Sequence, residues 1–177
     1  KGISKLPAAH VLTVENGEVR TRRYWDQTFK KPDTKPTVEA AAAELQELLS
    51  DAVRMRMVAD VPLGILLSGG IDSSTVAALA VRHATERVKT FSIGFEEDSF
   101  DETKYARMVA KHLNTEHYED KLSATTAGDL ISEIGTWLDE PLSDGSLIPT
   151  FLLSHLVRNH VTVALGGDGG DEVFAGY

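Results

Sequence analysis

An apolar run, Ile65 to Leu67, passes directly into Ser68-Gly69-Gly70-Ile71-Asp72-Ser73-Ser74 and then into the helix-like run Thr75 to Arg82. A strand, a glycine-rich turn and a helix in that order belong at the carboxyl edge of a parallel sheet. Small residues let the backbone approach a polyanion, the N–H groups of the turn point at it, and the following helix adds its positive end. The stretch therefore reads as a nucleotide phosphate site. It lacks the Gly-Lys-Ser/Thr that the Walker arrangement uses to hold β- and γ-phosphates. It offers instead the hydroxyls of Ser68, Ser73 and Ser74 and the carboxylate of Asp72, a set suited to gripping pyrophosphate with a bridging metal ion. The expected chemistry is attack at the α-phosphorus with release of pyrophosphate. A Gly-Gly pair alone would mean no more than a strand-to-helix turn, but the whole string is far more specific.

A second passage of the same kind lies far along the chain. Val161-Thr162-Val163-Ala164-Leu165 reads as a buried strand running into Gly166-Gly167-Asp168-Gly169-Gly170-Asp171-Glu172. In an open parallel sheet the carboxyl ends of the strands share one edge, so two such loops can converge on one ligand. Asp72 and Asp171 could then share one magnesium ion, which takes one or two carboxylates and completes its shell with phosphate oxygens and water.

The remaining elements are legible from their spacing. Val11 to Val14 and Val19 to Tyr24 flank Glu15-Asn16-Gly17-Glu18, and Asn-Gly between such runs predicts an N-terminal β-hairpin. Residues 26 to 36, with Pro32 and Pro36 among lysines, read as a linker. Thr37 caps an amphipathic helix to about Met57, which Arg54 and Arg56 end in a solvated turn. A strand at Leu63 to Leu67, a helix at Asp72 to Thr85, a strand at Val88 to Gly94, a helix at Glu102 to His112 and a short strand at Glu116 to Glu119 follow. Helices at Ser123 to Leu138, with Trp137 packed in the core, and Pro149 to Asn159 precede the strand at Val161. Strands alternating with helices predict a doubly wound parallel α/β sheet with flanking helices. The acidic stretch Glu96 to Glu102 reads as a solvated lid or cap, and the histidine spacings argue against a zinc site.

Composition narrows the function further. A chain of 177 residues with 42% hydrophobic content can bury one sizeable core. A net charge of −9 argues against a nucleic-acid surface, which needs clustered Lys and Arg. There is no cysteine, so neither disulfides nor a thiolate nucleophile can operate here. No apolar run approaches a membrane span and the start does not read as a signal peptide, so a cytoplasmic location is expected.

The Ser68 to Ser73 string resembles the SGGxDS loop of the PP-loop ATP pyrophosphatases, the adenine nucleotide alpha hydrolase-like group that includes asparagine, GMP, NAD and argininosuccinate synthetases. The likeness extends to the glutamine-hydrolysing asparagine synthetases through Asp60 to Ser74, Thr90 to Phe95, Asp139 to Asp144 and Leu165 to Tyr177. Leu6-Pro7-Ala8-Ala9-His10 and Tyr24-Trp25-Asp26 are similar to the passage that joins that family's glutaminase and synthetase domains. The resemblance divides the chain into residues 1–36, a linker and hairpin leading from a glutaminase domain, and residues 37–177, the N-terminal part of an ATP-binding synthetase domain. It implies a segment of a longer protein that binds nucleotide but turns over poorly alone. Its cysteine-free sequence cannot supply the family's glutaminase nucleophile, so ammonia would come from elsewhere.

The same resemblance implies roles at individual positions. Leu67 and Ile93 would contact the adenine and ribose, and the backbones of Gly166 and Gly167 would meet the nucleotide. Ser68, Gly69, Gly70, Asp72 and Ser73 would hold pyrophosphate. Asp72 and Asp171 would bind Mg²⁺, with Asp168 or Glu172 supporting the second loop and Asp144 and Ser146 supporting the acyl-adenylate site. Two positions depart from the family's usual pattern: glycine replaces serine at 166 and aspartate replaces glutamate at 168. A backbone role carries over to both. The implied reaction takes ATP and aspartate, forms an acyl-adenylate on the aspartate side chain, and amidates it with ammonia derived from glutamine. Another carboxylate acceptor, a non-catalytic nucleotide-binding module, and an α/β domain whose glycine loops are only turns stay open at this point.

Overall fold

A computed structural model describes residues 2–29, 34–96, 102–139, 142–174 and 176. The chain forms two compact units, Lys1–Ala40 and Ala41–Tyr177. In the first, β1 (His10–Glu15) and β2 (Glu18–Arg23) pair antiparallel, Glu15 opposite Glu18. Asn16 and Gly17 both have positive φ, 50° and 82°, as a two-residue type I′ turn requires.

Helix α1 (Val38–Arg56) begins where expected: the Ala40 N–H donates to Thr37 Oγ1 at 3.2 Å. It ends in a solvated turn, with Arg54 paired to Asp51 and Arg56 bonded to the Ala52 carbonyl. The second unit then alternates β3 (Leu63–Leu66), α2 (Ile71–His83), β4 (Lys89–Phe95), α3 (Thr103–His112) and β5 (Glu116–Leu122). Helices α4 (Ala124–Trp137) and α5 (Leu147–Arg158), strand β6 (Val163–Leu165) and the short helix α6 (Gly170–Phe174) complete it.

The sheet is parallel throughout, in the order β5-β4-β3-β6. The chain steps outward from β3 to β4 to β5, then returns to lay β6 on the other side of β3. The direction of winding reverses between β3 and β6, which opens a crevice at their carboxyl ends.

Strand periodicity assigns the two faces. Ile65 and Leu67 pack with Val53 of α1, Ala77, Leu79 and Ala80 of α2, and Ala106 and Ala110 of α3. Leu66 points the other way, to a cluster of Phe91, Val157 and Val161 with Leu153 and Leu156 of α5. Helices thus cover both faces, the doubly wound arrangement read from the sequence. The buried run Thr90-Phe91-Ser92 in β4 reflects this two-sided cover. Gly64 is required by the packing: a Cβ there would run into the Phe91 ring and lie 3.3 Å from Val161 Cγ2. The space goes to an aromatic group in which Phe91 stacks on Tyr118 at 5.3 Å and Tyr118 meets His160 at 3.7 Å.

Some expectations are corrected. Trp137 is 72% exposed and is no core residue, although Ile134 of the same helix is buried; with only one helical face covered, Trp137 falls beyond it. Strand β5 runs three residues past Glu119, hydrogen-bonded along the full length of β4. Strand β6 starts at Val163, not Val161, pairs only with β3, and leaves Val163 exposed, so it is an edge strand among the described residues and not a fully buried one. Helix α5 begins two residues before Pro149, which sits in its first turn where its missing N–H costs no helical bond. The lid expected at Glu96 to Glu102 falls largely outside the described residues, as do Glu140, Pro141, Ala175 and Tyr177. No helix among the described residues is long and apolar enough to cross a membrane.

Candidate nucleotide site

A cavity of about 550 Å³ opens at the crevice between the ends of β3 and β6. Its walls come from the end of β3 (Leu66, Leu67, Ser68), the start of α2 (Asp72, Ser73), β4 (Ser92, Ile93), α5 (Ser146 at its start, Pro149, Thr150, Leu153) and the second loop (Gly166 to Gly169, Asp171, Glu172).

The first loop closes on itself through its serines. Ser68 Oγ and Ser73 Oγ lie 2.8 Å apart; Ser68 N–H donates to Ser73 Oγ at 3.2 Å and Gly70 N–H to Ser68 Oγ at 3.2 Å. Gly69 takes φ +89°, and a Cβ there would lie 2.5 Å from the Ala106 nitrogen of α3, so only glycine fits. No side chain caps α2 at Gly70. The first-turn N–H groups of Ile71, Asp72 and Ser73 thus have no intrahelical partner, and the positive end of the dipole sits beside the cavity.

The second loop is pressed against the first. A Cβ on Gly167 would lie 2.8 Å from the Ser73 nitrogen and 3.1 Å from the Asp72 carbonyl carbon, and one on Gly170 would collide with the Asp72 carboxylate. The Asp171 carboxylate in turn lies against Gly176, whose N–H donates to the Asp171 carbonyl at 3.1 Å. The glycines thereby let Asp72 and Asp171 reach a common cavity.

Of the residues singled out in the sequence, Leu67, Ser68, Asp72, Ser73, Ile93, Ser146, Gly166, Gly167, Asp168, Asp171 and Glu172 line this space. Gly69, Gly70 and Asp144 do not. Gly69 supports the loop against α3, and Gly70 starts the helix. Asp144 Oδ1 accepts both the N–H and the hydroxyl of Ser146 at 2.8 Å, and these bonds hold its carboxyl below the usual carboxylate range. Its contact with the cavity is indirect, through Ser146, which lines it. The Ser74 hydroxyl is buried with no hydrogen-bond partner among the described residues and does not line the cavity. Sequence reasoning missed Leu66, Ser92, Gly169 and the α5 wall of Pro149, Thr150 and Leu153. Ser92 could have been found beside Ile93 at a strand end; the α5 wall depends on packing between distant segments.

The donors available for a divalent cation, Asp72 and Asp171 carboxylates with serine hydroxyls nearby, are hard oxygens of the kind Mg²⁺ prefers. No cluster of three or more His, Asp or Glu able to hold a metal occurs among the described residues. The chain's own donors therefore suit a cation that takes most of its ligands from phosphate and water.

The parallel sheet thus carries two glycine loops at its switch point, the first with serines and an aspartate but no lysine. Solved structures share the fold. The NH3-dependent NAD synthetase of Campylobacter jejuni superposes with a TM-score of 0.52 at 22% identity, covering 76% of this chain and 60% of that one. The glutamine-dependent NAD+ synthetase of Acinetobacter baumannii, solved with ADP, gives 0.57 at 22% identity over 82% of this chain and 29% of that one.

The asparagine synthase family model matches residues 44–177. A Methanocaldococcus jannaschii protein provisionally named a glutamine-hydrolyzing asparagine synthetase is 42% identical over 183 residues, spanning 100% of this chain and 34% of that protein. Asparagine synthetase 1 (glutamine-hydrolyzing) of Bacillus subtilis is 34% identical over 96% of this chain and 28% of its own length. The chain belongs to the asparagine synthase family, and it spans about a third of the length of the curated relatives it matches.

Proposed function

We propose that the cavity binds ATP with Mg²⁺ and that, within a longer protein, this unit activates the side-chain carboxylate of aspartate for amidation to asparagine. The observation that carries the reading is the contact of the two glycine loops at the sheet's switch point, which gathers Asp72, Asp171, Ser68 and Ser73 around one space in a chain of this family.

The aspartate carboxylate oxygen attacks the α-phosphorus. The bond from that phosphorus to the bridging oxygen breaks and pyrophosphate leaves. Ammonia then attacks the acyl carbon of the adenylate and AMP departs. Loop amides, the open end of α2 and the serine hydroxyls hold the β- and γ-phosphates and stabilise the leaving charge, so the work is positioning and electrostatics. Asp72 and Asp171 would hold Mg²⁺, which when bound neutralises charge on the pyrophosphate. The attacking carboxylate is already ionised, so the first step demands no general base. Leu67 and Ile93 supply apolar wall for the nucleoside, and Ser146, Asp168 and Glu172 line the same cavity.

Ammonia is drawn from glutamine by a glutaminase domain outside residues 1–177, since this chain has no cysteine to act as its nucleophile. The test is pyrophosphate release by a full-length protein carrying this chain, given Mg-ATP and ammonia with and without aspartate. Aspartate-dependent release with stoichiometric asparagine is the expected result. Release that ignores aspartate would assign another acceptor.

A further inference from the structure

A directed chain of hydrogen bonds runs through the sheet to the cavity wall. Its anchor is the Ala110 carbonyl, which can only accept. Thr115 Oγ1 donates to it at 3.4 Å. A hydroxyl has one hydrogen, so Thr115 Oγ1 must accept from Thr90 Oγ1, 2.8 Å away. With its own hydrogen committed, Thr90 Oγ1 accepts from His117 Nδ1–H at 2.9 Å. A neutral imidazole protonated at Nδ1 has a lone pair on Nε2, so Ser92 Oγ–H donates to Nε2 at 3.3 Å.

We propose that His117 is a positioning residue that turns the Ser92 hydrogen into the sheet, leaving Ser92 to face the cavity as a hydrogen-bond acceptor for a donor group on the bound nucleoside. This rests on the ATP reading above.

Thr90, Ser92 and Thr115 are all buried, and Ser92 lies in the cavity wall next to Ile93. Burial favours the neutral ring. Burial lowers the His117 pKa; Glu119 opposes this and Arg107 adds to it. Glu119 Oε2 is 3.9 Å from Nε2, beyond hydrogen-bond distance, and both its oxygens accept from Arg107 at 2.7 Å. An acceptor at Ser92 selects a donor, which ATP can present either as the adenine 6-amino group or as a ribose hydroxyl.

Two measurements test this. The first reads the ring nitrogens of His117 by ¹⁵N NMR of the chain at pH 7.5, assigned by their loss in His117→Asn. A protonated Nδ1 with an unprotonated Nε2 is expected; the opposite tautomer, or an imidazolium, would overturn the proposal.

The second compares nucleotide affinities. Ser92→Ala and His117→Asn, which keeps a polar group near Nδ1 but none at Nε2, should each weaken ATP about three- to tenfold. The double variant should be no weaker than Ser92→Ala alone. His117→Gln, whose carbonyl can reach the Nε2 position, should restore most of the affinity. Inosine triphosphate lacks the amino donor, and 2′- and 3′-deoxy-ATP each lack a ribose hydroxyl. One of these should bind worse than ATP to the wild type but not to Ser92→Ala, and so identify the donor. Additive losses, or no analogue coupled to Ser92, would overturn the proposal. If the wild type bound no nucleotide, the proposed function would fall with the ligand half of this inference, while the tautomer would still decide the polarity of the network.

Discussion

At Gly167 a methyl group would meet backbone, the Ser73 nitrogen and the Asp72 carbonyl carbon, and backbone cannot rotate aside. Gly167→Ala is expected to push the second loop off the first, cost about 1–3 kcal/mol, and abolish measurable ATP binding; urea melts and a nucleotide titration on the same sample would check both. His117 gives a pH signature of a different kind. Its folded pKa lies below the ordinary 6.5, so the unfolded chain binds the proton more readily. Stability is therefore retained above 6.5, falls as pH drops from 6.5 towards the folded value, and levels off below it. The fall in unfolding free energy between pH 7.5 and 5.5 should be smaller in His117→Gln than in the wild type; equal falls would show that the ring is not held neutral by the fold. At this scale the sequence was informative wherever a residue type announces its chemistry. Asp72, Asp171, Ser68 and Ser73, which line the cavity, could be picked out because they sit in or beside glycine-rich stretches that directly follow strands, whereas Ser74 of the same string does not reach it. Ser92 carried only a weak signal, its place beside Ile93 near a strand end, because nothing else local distinguishes a strand serine that faces a ligand from one that packs.

Gly64 shows how an element depends on one absent side chain. Strand β3 lies beside β4 with Phe91 over Gly64, and the Phe91 ring occupies the space a Cβ would need. Gly64→Ala should lower the unfolding free energy by about 1–3 kcal/mol through overpacking, read as a shifted denaturation midpoint at unchanged slope. A neutral result would mean that the aromatic group of Phe91, Tyr118 and His160 can shift freely. Elements with a strong local signature were legible: the Asn16-Gly17 hairpin, the Thr37 cap, and the alternation of apolar strands with helices. Those fixed by partners were less so. Strand β5 extends to Leu122 because β4 offers hydrogen bonds that far. Trp137 lies outside the covered face of α4, and helical spacing alone does not say how wide that face is.

At the scale of the whole molecule, the order β5-β4-β3-β6 does the most for the site. Each loop sequence could be recognised as glycine-rich, but only the return of the chain to place β6 beside β3 makes the two loops neighbours. That adjacency was expected from the general rule for parallel sheets, whereas the α5 wall was not, since it follows from how the β5-to-β6 crossover packs. The central claim is that the adjacent loops form one Mg-dependent ATP site. Its most direct measurement is the equilibrium affinity of this chain for ATP, with Mg²⁺ and with EDTA, for the wild type and Asp72→Asn. The wild type should bind ATP at least about tenfold more tightly with Mg²⁺ than without, a difference on the order of 1.4 kcal/mol, and Asp72→Asn should lose most of that difference. Mg-independent affinity, or an Asp72→Asn variant that keeps the full Mg²⁺ effect, would contradict the account.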